Sequence, residues 1–501
     1  MSHELYRPIE LSFEGDTVIP ADRTPLWVRF THESAGEHVL PGFWDGERTY
    51  RVRFAPEETG TWTWRSESAE DPALAGVEGT FDVVAGGEHG PVRVANRFHF
   101  AHADGTPFRP VGTTAYNWLH QDEPLFSETV DAVADAGFNK LRFMVFPQAG
   151  GYIEHTPELF PFERTDGKWD VTRPVIPFFR RLDAAVEALG RRGVQADVLI
   201  FNAYDRGYFG LNELTEDEDD VYLRYLVARL AAHPHVWWSL CNEFDQLQRP
   251  ARRWDRAGHR LAELDPHAHL RSIHNWVELY DNNQPWVTHA SIQNGSATTE
   301  FGRANLYRDV YGKPVVLDEI KYEGDIPERW GRLTARQLVD QFWIATVSGC
   351  YASHGESFVT KSGSLHMVEG GPLRGESPAR LRFLRGILED LVVPGLDPID
   401  KWDDPAHAAG VSRRQYVQYL GASAPRTWAF RLPVGVPGER PEPGDVFEVD
   451  VIDTWNMTVT RVDRRFTLTE VLRKDAYDRD CAPLELPHGE AIALRITRVE
   501  D

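Results

Sequence analysis

Cysteine is nearly missing from this chain: Cys241, Cys350 and Cys481 are the three in 501 residues. So small and odd a number, widely spaced, argues against a disulfide framework and fits a reducing compartment. The cysteines have no metal-ligand spacing, and no H-x-x-E-H-like pattern sits on a predicted helix, so neither metal nor cofactor is expected. Positive charge is also scarce, with 54 Lys and Arg against 77 Asp and Glu, a net charge of −23. An acidic surface without a basic stripe repels phosphates and anionic lipid, which argues against nucleic-acid and membrane partners. No apolar run reaches the ~18 residues that a membrane span needs. The polar opening MSHELYRPIELSFEGD contains no apolar signal core, and a cytoplasmic protein is the expectation.

Aromatic residues are plentiful: 26 Phe, 16 Trp and 16 Tyr make 12% of the chain. Many belong to cores, yet flat rings also suit a protein that stacks on sugar faces. The length predicts more than one domain. Residues 1–95 read as an Ig-like β-sandwich. Apolar and polar residues alternate in Tyr50-Arg51-Val52-Arg53-Phe54 and in Thr61-Trp62-Thr63-Trp64-Arg65, the period of half-buried strands. Leu26, Val28 and Phe30 mark another strand, Gly79–Val84 a closing one, and residues 85–91 a linker.

Between 96 and 393 short apolar strands alternate with amphipathic helices, the pattern of a parallel sheet covered by helices. Eight strands are predicted: Phe108–Gly112, Lys140–Val145, Val194–Ile200, Val236–Leu240, Leu270–Ile273, Trp286–Ala290, Val315–Leu317 and Cys350–Ser353. Helices are predicted at 128–136, 176–192, 219–232, 251–264, 300–310, 334–348 and 378–390, with only a weak one between strands five and six. The span from 108 to 354 is close to the ~250 residues of a (β/α)8 TIM barrel. No Gly-rich phosphate loop follows a strand, which disfavours a doubly wound nucleotide-binding sheet. The acidic run Glu216–Asp220 is read as the first turn of a helix, where the helix dipole favours negative charge. From 394 to 501 strand-like segments return around Pro/Gly-rich turns, predicting a C-terminal β-sandwich. The fold class is thus α/β, a TIM barrel flanked by antiparallel β-sandwich domains.

In such a barrel chemistry sits at the C-terminal strand ends. Strand four, His235-Val236-Trp237-Trp238-Ser239-Leu240, ends Cys241-Asn242-Glu243. A carboxylate there is desolvated, which raises its pKa toward that of a useful general acid. Strand seven ends Asp318-Glu319, three βα units later. Two carboxylates about 5–5.5 Å apart across a barrel mouth are what double displacement at a glycosidic carbon requires. Glu243 and Glu319 are therefore the candidate catalytic pair, with Asp318 a rival to Glu319. Cys241, without an arranged base, is read as a buried filler.

A Trp-rich fourth strand ending Asn-Glu, with a second Glu ending strand seven, resembles the clan of retaining (β/α)8 glycoside hydrolases (clan A). The segment Phe54-Ala55-Pro56-Glu57-Glu58-Thr59-Gly60-Thr61-Trp62-Thr63-Trp64, ahead of the barrel, is similar to apiosidase-like barrel hydrolases with an N-terminal β-sandwich and a C-terminal β domain. The resemblance implies Glu243 as acid/base beside Asn242, Glu319 as nucleophile, and Arg142 as the arginine that keeps the nucleophile ionised. The clan's His or Tyr after strand six and Trp ending strand eight are replaced by His289 and by Tyr351 and His354-Gly355-Glu356.

Other strand ends supply candidate sugar contacts: Tyr116, Asn117 and Trp118 after strand one, Asn202 after strand three, His274 and Trp276 after strand five. His289 after strand six, and His354 and Glu356 after strand eight, complete the set. The expected activity is a retaining glycoside hydrolase acting exo on short oligosaccharides or glycosides, furanosides included, with a carbohydrate as partner and no cofactor. A transglycosylase and a non-catalytic carbohydrate-binding barrel are the alternatives, and the presence of both glutamates favours catalysis. The flanking β domains either narrow the mouth or mediate contacts in a homo-oligomer.

Overall fold

The computed structural model describes residues 2–153, 156–205, 207–399, 408–421, 424–487 and 491–499. Its centre is a ring of eight parallel strands: β1 (Gly112–Thr114), β2 (Lys140–Met144), β3 (Gln195–Asn202), β4 (Val236–Asn242), β5 (Arg271–Ser272), β6 (Ala290–Gln293), β7 (Val315–Glu319) and β8 (Tyr351–His354). The hydrogen-bonded order is β5-β4-β3-β2-β1-β8-β7-β6. That is a ring opened between β5 and β6, where the bridge His274–Ser291 joins the two edges. The barrel is therefore nearly closed. Helices α1 (Leu125–Asp135), α2 (Ile176–Arg191), α3 (Glu216–Leu230), α4 (Ala251–Leu264), α5 (Asn305–Tyr311), α6 (Ala335–Val347) and α7 (Ser377–Glu389) cover its outside. The acidic run begins α3, with Thr215 and Glu218 closing a reciprocal N-terminal cap.

Three boundary expectations are corrected. Pro107–Phe108 belongs to an antiparallel sheet with Val92–Ala95 and His99–His102, so β1 begins later, at Gly112. Trp286 and Val287 are buried packing residues ahead of β6, whose strand runs to Gln293. Among the described residues no helix forms between β5 and β6. In the first two cases an apolar stretch reads as a strand until tertiary packing decides otherwise.

The small antiparallel sheet seals the barrel floor. Phe100 packs on Trp237, His289 and Tyr351, and Phe108 also meets Trp237. Above this floor the barrel holds charge. Lys140 Nζ donates to Asp197 and to Asp318, both at 2.7 Å, and all three residues are buried. Lys140→Met is expected to lower stability by about 3–5 kcal/mol, because two buried carboxylates then lose the cation that hydrogen-bonds them and keep only the more distant Arg142. Urea denaturation checks this, and a loss below about 1 kcal/mol would mean that the carboxylates do not depend on Lys140.

The flanking regions are β-rich. N-terminal strands of a five-stranded and a three-stranded sheet share one core of Val28, Phe30, Val52, Phe54, Trp62 and Phe81. Arg53 ties this region to the barrel through Asp183 of α2, at 2.8 and 2.9 Å. In the C-terminal region Tyr419 stacks on Trp343 of α6 and donates to Asp340 at 2.6 Å. No helix among the described residues is long and apolar enough to cross a membrane.

Candidate active site

Glu243 and Glu319 both lie at the open end of the barrel, one just past β4 and the other closing β7. Glu243 departs from strand geometry at once: its φ of 53° and ψ of 53° are left-handed. A residue with a Cβ costs about 1–2 kcal/mol there, and such strain gathers where a side chain must be aimed. The carboxylate is 6% exposed. Gln246 donates to it, and the Gln293 amide, with its nitrogen turned toward the carboxylate, donates to Oε1 at 2.9 Å.

Glu319 is held from several sides. Tyr116 donates to Oε1 at 2.5 Å, and His274 Nε2 lies 3.3 Å from the same oxygen. Asn242 Nδ2 is 3.4 Å away and Arg142 Nη1 3.7 Å. Arg142 also donates to Asn242 Oδ1 at 2.7 Å, fixing which way that amide points. Behind His274 runs a chain: its Nδ1 is 2.9 Å from Ser291 Oγ, which donates to Asp318 at 2.6 Å. Tyr204 links the two glutamates. Its hydroxyl accepts from Asn242 at 2.7 Å and hydrogen-bonds Glu243.

The environments push the two carboxyls apart. Burial, then the negative field of Glu319, raises Glu243 to about 8. Burial also opposes ionisation of Glu319, but His274, Arg142 and Tyr116 outweigh it and hold this carboxyl well below the usual carboxylate range. Near neutral pH one group thus carries a proton and its neighbour a charge. One mouth holds two carboxyls whose surroundings favour opposite protonation states.

The remaining candidates divide. Tyr116, Arg142, Asn242 and His274 join the cluster. Trp276 stands at the rim, 51% exposed, on a loop whose N–H groups at 276–278 donate to Asp245, two residues after Glu243. The structure does not bring Asn117, Trp118, Asn202 or His289 to this mouth. Trp118 is fully buried and stacks on Phe126. Asn117 accepts from the Gln148 N–H, and Asn202 donates to the Phe146 carbonyl, so both fasten loops. His289 precedes β6 and packs on the barrel floor, where burial pushes it down to about 3. Asp318 is saturated by Lys140, Ser291 and Ser353 below the mouth, which removes it as a rival. His354 and Glu356 form a separate cluster with Glu323.

Tyr204, Gln293 and Tyr322 were not singled out in the sequence. Tyr204 follows β3 by two residues, so its place after a strand end is the signal that points to it. Ending strand six at Ala290 hid Gln293. Tyr322, whose hydroxyl is 3.1 Å from that of Tyr116, sits in a loop with no periodic signal.

A parallel (β/α)8 barrel with two oppositely tuned carboxyls at its C-terminal mouth is the architecture of a glycosidase. Residues 94–426 match the family model for the apiosidase-like catalytic domain, and the chain belongs to that family. Domains of unknown function, DUF5060 at 2–69 and DUF5605 at 402–497, match on either side. A solved structure from Bacteroides vulgatus ATCC 8482, of a protein proposed to be a glycoside hydrolase, superimposes with a TM-score of 0.94 at 34% identity. The match covers 99% of this chain and 100% of that one. A family 5 glycoside hydrolase from the same organism shares the fold at a TM-score of 0.59 and 16% identity, over 82% of this chain and 93% of its own. A comparison with curated proteins finds no match.

Proposed function

We propose that this glycosidase works by double displacement with retention, Glu319 as nucleophile and Glu243 as acid/base. The carboxylate of Glu319 attacks the anomeric carbon while the bond to the leaving oxygen breaks, and Glu243 gives that oxygen its proton. A glycosyl ester on Glu319 results. Glu243, now ionised, takes a proton from water, the water oxygen bonds to the anomeric carbon, and Glu319 is released as carboxylate. The observation that carries this reading is the opposed surroundings of two neighbouring buried carboxyls: Tyr116, His274, Asn242 and Arg142 gather on Glu319, while the Gln246 amide donates to Glu243. The first step also removes the negative charge of Glu319, one cause of Glu243's raised pKa, so the acid becomes a base when a base is needed. Arg142, His274 and Tyr116 favour the ionised nucleophile and help expel it in the second step.

The substrates proposed are short oligosaccharides or glycosides cut from an end. Kinship with apiosidase-like barrels favours furanosides, by analogy of fold. The half-exposed Trp276 offers a stacking face at the rim. The test is hydrolysis of a panel of nitrophenyl pyranosides and furanosides with the first-formed product anomer read by NMR. Retention is expected, and inversion would overturn the covalent step.

A further inference from the structure

Apart from the Glu243–Glu319 mouth, a second group of charged side chains is buried where the loops after β7 and β8 meet the start of α7. Glu323–Gly324 pairs in parallel with Glu356–Ser357, which sets the two glutamates opposite one another. His354 ends β8 two residues before Glu356. The three are at most 4% exposed, and one ligand-type atom from each lies within 4.8 Å of the others.

Backbone N–H groups hold both carboxylates. Glu356 accepts from Arg374 at 2.8 Å and Gly375 at 2.9 Å. Glu323 accepts from Glu376 at 2.9 Å, and from the Ser377 N–H at 3.1 Å and its hydroxyl at 2.5 Å. Among the described residues no lysine or arginine forms an ion pair with either carboxylate; the charged-type neighbour is His354, with Nε2 3.8 Å from Glu356 Oε1. His354 Nδ1 is engaged by the Thr113 hydroxyl at 2.9 Å, whereas Nε2 is buried without a hydrogen-bond partner.

Two neighbouring buried carboxylates held by neutral N–H and O–H donors still lack a directly paired cation among the described residues. A shared proton would ease that but leave the imidazole nitrogen unsatisfied. A cation satisfies both, because Glu323 Oε1 and the two Glu356 oxygens each accept a single hydrogen bond and keep a second lone pair, and neutral imidazole offers one. We propose that Glu323, His354 and Glu356 bind one divalent cation of the zinc or manganese class. The imidazole ligand disfavours calcium and magnesium, which prefer oxygen shells. Ligand bonds of about 2.0–2.2 Å draw the three atoms inward from their present spacing. The ion would stiffen the loop that carries Tyr322, the neighbour of Glu323 in sequence and of Tyr116 in space.

The test strips the full chain with EDTA and titrates it by calorimetry with Zn2+ and, separately, with Mn2+. Co2+ absorption reports the coordination, and melting temperature reports the fold. One equivalent of Zn2+, a rise of a few degrees in Tm and visible Co2+ bands are expected. His354→Gln, with an unchanged circular dichroism spectrum, should weaken Zn2+ binding on the order of 100-fold and abolish the bands. If that variant fails to fold, Glu356→Gln makes the same comparison. The proposal is overturned if wild type takes up no stoichiometric Zn2+ or Mn2+ and its Tm stays fixed. It is also overturned if a folded variant binds as wild type does, since the ion would then sit elsewhere. Neither result bears on the roles of Glu243 and Glu319.

Discussion

Glu319→Ala should lower kcat by a factor on the order of 10^4–10^6, the scale of losing a nucleophile that acts together with its partners. At about 1.4 kcal/mol per tenfold, that is roughly 5–8 kcal/mol of barrier. The loss follows from the site: Arg142, His274, Tyr116 and Asn242 converge on this carboxylate. Azide is small enough to enter the space left by the side chain. It should restore turnover on aryl glycosides and give a glycosyl azide of inverted configuration. Near-wild-type activity in the variant, or rescue with retention, would assign the nucleophile elsewhere. Because the folded Glu319 titrates below its unfolded value, it adds stability above the unfolded pKa, and that stability is lost as pH falls.

Glu243→Gln should lower kcat/KM for poor leaving groups by about 10^2–10^4, and far less for dinitrophenyl glycosides, which leave without a proton. The alkaline limb of the wild-type pH–rate profile, set by loss of the Glu243 proton, should vanish. Stability should move the other way. A carboxyl raised to about 8 in the fold adds no penalty below its unfolded pKa and an increasing one as pH rises toward 8. Each pH unit across that window is worth about 1.4 kcal/mol. The glutamine variant should therefore become steadily more stable than wild type between pH 5 and 8, by several kcal/mol at the upper end. Denaturation of both proteins across that range measures the gap. A constant gap would show that Glu243 ionises like a surface carboxylate.

Much of this site could be read before any coordinates. Apolar strands ending in carboxylates have few explanations, and the βα spacing places Glu243 and Glu319 at one mouth. Arg142 enters through the resemblance to the clan alone, since strand periodicity does not say which way an arginine in a barrel strand points. Trp118 and His289 misled because aromatic and imidazole rings serve cores as readily as ligands, and periodicity does not tell floor from mouth. Glu323, the partner of His354 and Glu356, escaped for another reason. It lies 31 positions from the next of them in the chain, and only the pairing of two loops makes them neighbours. Spacing rules for metal sites detect ligands on one helix or hairpin, not those gathered by a barrel rim.

The sealed floor has a consequence for traffic. Among the described residues Phe100 and Phe108 pack against the barrel from below, which leaves the mouth as the approach to Glu243 and Glu319. On the double-displacement reading, the departing alcohol and the incoming water must use it in turn, so water queues behind the first product. An alcohol that lingers at the doorway can re-enter before water does. The split between hydrolysis and transfer to another sugar is then governed by how fast the rim around Trp276 releases its guest, rather than by the two carboxyls alone.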